Sequence, residues 1–105
     1  MHALAFAHAR GWRVVGFSPP YASDSYDLVA HDPRYATLWS MFVHRAPQLF
    51  ARYGYPFLDL SDGRKRSACA DDTFIFRDGA HPGEACEAQV RRILDARAAR
   101  LPPPR

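Results

Sequence analysis

The sequence predicts an α/β fold with two or three parallel strands and three helices. Three observations carry that expectation. Two short apolar stretches, residues 12–18 and 55–60, each follow a helix-like segment that stops at a glycine, Gly11 and Gly54. Helix, glycine and buried strand in that order make one half of an α/β repeat. Near the end of the chain, Cys86, Val90, Ile93 and Leu94 recur at the i, i+4, i+7, i+8 spacing of a helix docked by one face. At 105 residues the chain is one domain at most.

Residues 2–10 read as a short helix. Leu4, Phe6 and Ala7 are placed to face a core, and Gly11 suits the left-handed C′ position that ends a helix. Residues 12–18, with Val14 and Val15 and bounded by Pro19-Pro20, read as a buried strand. Residues 19–32 read as a loop that carries Tyr21, Ser23, Asp24, Ser25 and Tyr26. Asp32-Pro33 marks a helix start, because aspartate caps and proline fits the first turn. Leu38, Met41, Phe42, Leu49 and Phe50 follow at helical spacing. Trp39, Phe42 and Phe50 are expected in the core. Pro47 is expected to kink or divide this helix near Arg45 and Ala46.

Residues 55–60 are the second strand. It is expected beside the first and parallel to it, since right-handed crossovers make parallel neighbours the default. A polar loop, 61–73, leads to the short apolar segment 74–76 and then to the last helix, about 82–99. Glu84 and Glu87 in its first turns and arginines in its last agree with the helix dipole. Residues 101–105, Leu-Pro-Pro-Pro-Arg, are expected to be a disordered tail.

The net charge is +3 and the pI near 9.2. Arginine supplies nearly all of the positive charge; Lys65 is the only lysine, a bias typical of a GC-rich genome. The basic residues are scattered, with Arg64, Lys65 and Arg66 the main cluster, so nucleic acid is not an expected partner. Cys69 and Cys86 lack CxxC spacing and nearby paired ligands, whereas a zinc site needs about four ligands at recognisable spacing. A Cys69–Cys86 disulfide and two separate thiols both fit the sequence. No metal or organic cofactor is implied. No segment approaches the roughly 18 apolar residues of a membrane span. The stretch 3–7 is too short for a signal-peptide core and has no basic region before it. The expected compartment is the cytoplasm by default, or the cell envelope if further chain precedes Met1.

The motif with the most chemistry is Phe76-Arg77-Asp78-Gly79-Ala80-His81-Pro82-Gly83-Glu84. It sets a carboxylate three residues before an imidazole, with a glycine between them and a proline where a helix begins. Asp78 folded back on the ring would accept the Nδ1 proton of His81 and leave Nε2 as a base. The plain alternative is a surface turn in which Asp78 caps the next helix and His81 is solvated. Asp59, at the end of the second strand, reads as a turn carboxylate. Pro19-Pro20-Tyr21 lies where α/β folds place ligands, and an ordinary stiff turn fits it equally. His31 and His44 read as structural or solvated.

The order of these segments resembles the C-terminal half of the SGNH, or GDSL-type, hydrolases, in the branch that acts on acyl esters of cell-envelope polymers. The resemblance spans roughly residues 3–100, and its specific part is Asp78, His81 and Pro82, which match the family's last block. It implies a partial flavodoxin-like three-layer fold, with residues 1–100 as the C-terminal part of that domain. It also implies a serine esterase or O-acyltransferase in which His81 is the base and Asp78 orients it. The other family blocks are missing. No Gly-Asp-Ser follows a strand, and the chain contains no asparagine to serve as oxyanion donor. The expected partners are therefore an acyl-ester substrate, once the site is completed, and an N-terminal half or partner chain at an exposed sheet edge. Two rivals use the same residues differently: a non-catalytic docking module built on this fold, and a small complete hydrolase whose nucleophile is Ser23 or Ser25.

Overall fold

A computed structural model describes residues 2–71 and 81–103. Among these described residues, four α-helices and two strands follow in the order α1 (His2–Ala9), β1 (Gly16–Ser18), α2 (Ser23–His31), α3 (Ala36–Ala51), β2 (Phe57–Asp59) and α4 (Glu84–Ala98). Two 3₁₀ turns, Gly63–Lys65 and Ser67–Cys69, lie between β2 and α4. The architecture is broadly α/β, with one helix more than the sequence suggested.

β1 and β2 pair in parallel, with Gly16 opposite Phe57, Phe17 opposite Leu58 and Ser18 opposite Asp59. The expected parallel pair is present, but each strand is shorter than its apolar run. Both helices that lead into strands end at the predicted glycines. Gly11 and Gly54 have φ of 69° and 75°, the left-handed region that only glycine enters without strain. At the first, Trp12 N–H donates to Ala7 O and Gly11 N–H to His8 O; at the second, Tyr55 N–H donates to Phe50 O. These bonds satisfy the last carbonyls of α1 and α3 and turn the chain into the sheet.

α3 packs on one face of the pair through Phe50, whose ring lies 5.1 Å from that of Phe57. Gly16 permits this approach: a Cβ there would fall 2.4 Å from the Phe50 ring. α4 covers the opposite face over β2. Its Cys86 and Val90 are buried with Leu60 and Cys69, and Leu58, Ile93 and Leu94 pack around them. This is the face that the spacing of α4 predicted. α4 begins at Glu84 with Gly83 as its N-cap, so Pro82 precedes the helix and does not occupy its first position. Beyond its far end, Arg13 reaches across to donate to Ala98 O and Leu101 O, so residue 101 is tied to the body.

Several expectations are corrected. Residues 23–31 form α2, where a loop was expected. Asp32 ends α2 and α3 starts only at Ala36, after a turn in which Asp32 accepts from Arg34 N–H. Pro47 neither divides nor ends α3, which runs unbroken from Ala36 to Ala51. Phe42 is 43% exposed and Phe6 is 50% exposed, so neither is a core residue. Trp39 and Phe50 are half-buried. Among the described residues the sheet is two strands of three residues, too narrow to cover the whole apolar face of a 16-residue helix, and within α3 only Ala46 is buried. The segment 74–76 lies outside the described residues.

Candidate functional site at the strand ends

β1 and β2 run in the same direction, so their C-terminal ends, Ser18 and Asp59, lie side by side. The ladder continues past them. Leu60 N–H donates to Ser18 O, Tyr21 N–H donates to Ser61 O, and Tyr21 bridges Asp62 in parallel. Pro20 is fully buried between these bonds, and Ser18 and Ser61 are buried with it. Pro19-Pro20-Tyr21 is thus a fixed rim. Gly63 lets the first 3₁₀ turn close against it, since a Cβ there would lie 2.6 Å from Tyr21 O and 3.0 Å from Cys69 O.

A set of polar and charged side chains organises the rim. The Asp59 carboxylate accepts from Ser61 N–H at 3.0 Å and from the Ser61 hydroxyl, so it is the turn carboxylate that the sequence suggested. Asp62 accepts from Arg64 N–H and from Arg64 Nε, at 3.1 and 3.0 Å. The Arg64 guanidinium holds the Asp62 carboxyl below its usual range. The other end of the same fork reaches Asp27 on α2, 3.1 Å from Nη2. Arg64 also lies over the Tyr26 ring, 5.6 Å from its centroid. The Tyr26 hydroxyl is pushed upward, first by burial and then by the negative charges of Asp62 and Asp59.

Asp71 completes the arrangement. Its Oδ1 accepts from Ser23 N–H at 2.7 Å and its Oδ2 from the Ser23 hydroxyl at 2.5 Å. A carboxylate from 48 residues away caps the first turn of α2. The two bonds from Ser23 hold the Asp71 carboxyl below its usual range. This geometry bears on Ser23 as a nucleophile. Its proton is directed at a carboxylate of lowered basicity, whereas an activated serine needs an imidazole or comparable base at that position. Ser25 sits in the first turn of the same helix.

His81 is exposed and stands just ahead of Pro82 and Gly83 at the start of α4. Asp78, and with it the proposed Asp78–His81 hydrogen bond, lies outside the described residues. The position of His81 is tied to the rim through a covalent bond. Cys86, five residues on, forms a disulfide with Cys69, with a Cα–Cα separation of 4.7 Å. The pairing that the sequence left open is therefore settled. His31 is exposed, 3.8 Å from Asp27, and His44 is exposed on α3, as expected.

Sequence reasoning missed Asp71 and the Asp62–Arg64–Asp27 chain. The partners of Asp71 and Arg64 are 48 and 37 residues away, and no local pattern signals such pairs. A cavity of about 450 Å³ lies elsewhere, lined by Arg10, Trp12, Arg13, Tyr53, Tyr55 and Leu101 among others. Those residues precede the strands or follow α4, so this cavity is at the end of the sheet remote from the rim. Among the described residues no group of three or more His, Cys, Asp or Glu side chains could hold a metal ion. No helix among them is long and apolar enough to cross a membrane.

No family model, curated protein or solved structure matches the chain.

Proposed function

We propose that this chain carries the histidine end of an SGNH-type serine esterase or O-acyltransferase, on part of a flavodoxin-like sheet. His81 is the general base, Asp78 orients it, and the serine comes from outside these 105 residues. The observation that carries the reading is the parallel β1–β2 pair, with the start of α4 bonded to the loop that leaves β2. Open α/β sheets gather their chemistry at the C-terminal ends of parallel strands. There His81 would take the proton of an attacking serine and return it to the leaving alkoxide. The acyl group would pass to the serine and then to water or a second alcohol.

The edge of β1 away from β2, which no described residue pairs, supports a source of the serine beyond this chain. The ladder bonds use Gly16 and Ser18, so the Phe17 N–H and C=O point away from β2. No described residue pairs with them. Phe17 shares a face with Leu58, yet α4 covers Leu58 and leaves Phe17 39% exposed. Parallel sheets are normally covered on both faces, so a further strand and its cover would fit here. The same edge supports a second reading, a docking module that binds a partner strand without catalysis.

One experiment separates the two. The genomic reading frame that includes Met1 is expressed in full and assayed with a short-chain p-nitrophenyl ester. The hydrolase reading predicts turnover that falls by about 10²–10⁴ in His81→Ala. Turnover unaffected by that substitution, or none in the full product, leaves the docking reading standing.

A further inference from the structure

The disulfide joins two parts that are distant in sequence and both close to the rim. Cys69 ends the second 3₁₀ turn, and two residues on is Asp71, which caps α2. Cys86 lies in the first turn of α4, five residues after His81. Both cysteines are fully buried. At this end of α4 the N-cap, Gly83, makes no side-chain capping bond. Among the described residues, the buried cluster there is Leu60, Cys69, Cys86 and Val90, with Leu58, Ile93 and Leu94 packed against it. The far end of α4, by contrast, is tied down by Arg13.

We propose that Cys69–Cys86 is a redox clasp. It fixes the His81 end of α4 to the rim and, through Asp71, secures the first turn of α2, so the site is assembled only where thiols are oxidised. The link to catalysis rests on the reading of His81 given above; the clasp itself does not. Two thiols lose two protons and two electrons as the S–S bond forms. The electrons pass to an external disulfide, which is reduced to two thiols. A thiolate attacks that disulfide and a mixed disulfide is then resolved by the second cysteine. The burial of both sulfurs means that exchange takes place before α4 docks, and that the finished bond is shielded from attack. A compartment with a reducing thiol pool would leave the pair open.

The test compares the oxidised chain with Cys69→Ala/Cys86→Val, which keeps an apolar pair in the buried cluster. The thermal midpoint of the variant is expected to fall by about 10 °C or more, since a cross-link closing a loop of this size is lost. Amide exchange at 84–87 and 23–26 is expected to rise by about tenfold or more below that midpoint, with Leu58 and Leu60 little changed. The ring resonances of His81 are expected to move at fixed pH, and those of His2, His8, His31 and His44 to stay. Exchange that rises uniformly along the chain, with His81 unmoved, would reduce the bond to a general staple and overturn the proposal. If the variant does not fold, the oxidised chain is treated with a phosphine reductant during exchange. Opening at 84–87 and 23–26 before global unfolding supports the clasp; simultaneous loss everywhere refutes it. No readout uses ester hydrolysis, so failure of the hydrolase reading leaves the outcome interpretable.

Discussion

Gly63→Ala is the substitution most directly exposed to the geometry of the rim. A Cβ at this position would meet Tyr21 O at 2.6 Å and Cys69 O at 3.0 Å. Both atoms are backbone, so no rotamer change relieves the clash. Ordinary van der Waals contact begins at 3.4 Å, so the Tyr21 carbonyl or the 3₁₀ turn must move by roughly 0.8 Å. Tyr21 is not free to do so, because its N–H is bonded to Ser61 O at 3.0 Å and it follows the buried Pro20. Overpacking of this kind costs about 1–3 kcal/mol, and the pinned neighbours place Gly63→Ala in the upper part of that range. For a domain near this size, ~2 kcal/mol lowers the thermal midpoint by about 8–16 °C. Gly54→Ala is the control. Its φ is +75° but nothing lies within 4 Å, so its cost is conformational only, about 1–2 kcal/mol. Urea unfolding of both variants supplies the comparison, with amide exchange at Tyr21 and Ser61 as the local readout. If Gly63→Ala costs no more than Gly54→Ala and leaves Tyr21 undisturbed, the rim is not closed in the way described.

Three further outcomes are expected. Tyr55→Phe removes the half-buried bond from the Tyr55 hydroxyl to Trp12 O, 2.6 Å long; urea unfolding should show a loss of about 1 kcal/mol with little change in slope. Asp71→Asn changes the acid limb of stability. The Asp71 carboxyl is held below the usual carboxylate range by the Ser23 hydroxyl and then by the Ser23 N–H. Its contribution is therefore complete above that usual range and is lost as pH falls through the lower, folded-state pKa. Denaturation followed from about pH 5 to about pH 2 should be less steep in the variant, and an unchanged slope would remove Asp71 from the α2 cap. Phe17→Lys should leave the stability of this chain within about 0.5 kcal/mol, because Phe17 is exposed, yet abolish association with any segment that pairs at the β1 edge, as read by co-purification.

Much of the scaffold was legible because glycine and proline punctuate it. Gly11 and Gly54 stop helices for a steric reason that a sequence states openly, and a strand after each leaves the parallel pair as the simplest connection. The docked face of α4 was equally readable, since a helix with four apolar positions at one period has one face to bury. α2 was not readable. Its sequence is polar, and the group that caps it, Asp71, arrives from the far side of β2. The exposure of Phe42 and Leu38 was hidden for a related reason: periodicity marks which face of α3 is apolar, not how much sheet there is to cover it. At the candidate site, His81 is proposed from its local motif, whereas the Asp62–Arg64–Asp27 chain and the Asp71 cap depend on tertiary approach. The cysteines lay between these cases, because their spacing permitted a bond that only the docking of α4 brings about.

The central claim is that His81 serves a serine that these 105 residues do not contain. Fluorophosphonate labelling of the full genomic product, with the modified residue located by mass spectrometry, tests it most directly. The account predicts labelling at a serine outside residues 1–105, slowed by about 10²-fold or more in His81→Ala. Stoichiometric labelling at Ser23 or Ser25 that depends on His81 would contradict it and make this chain a complete enzyme.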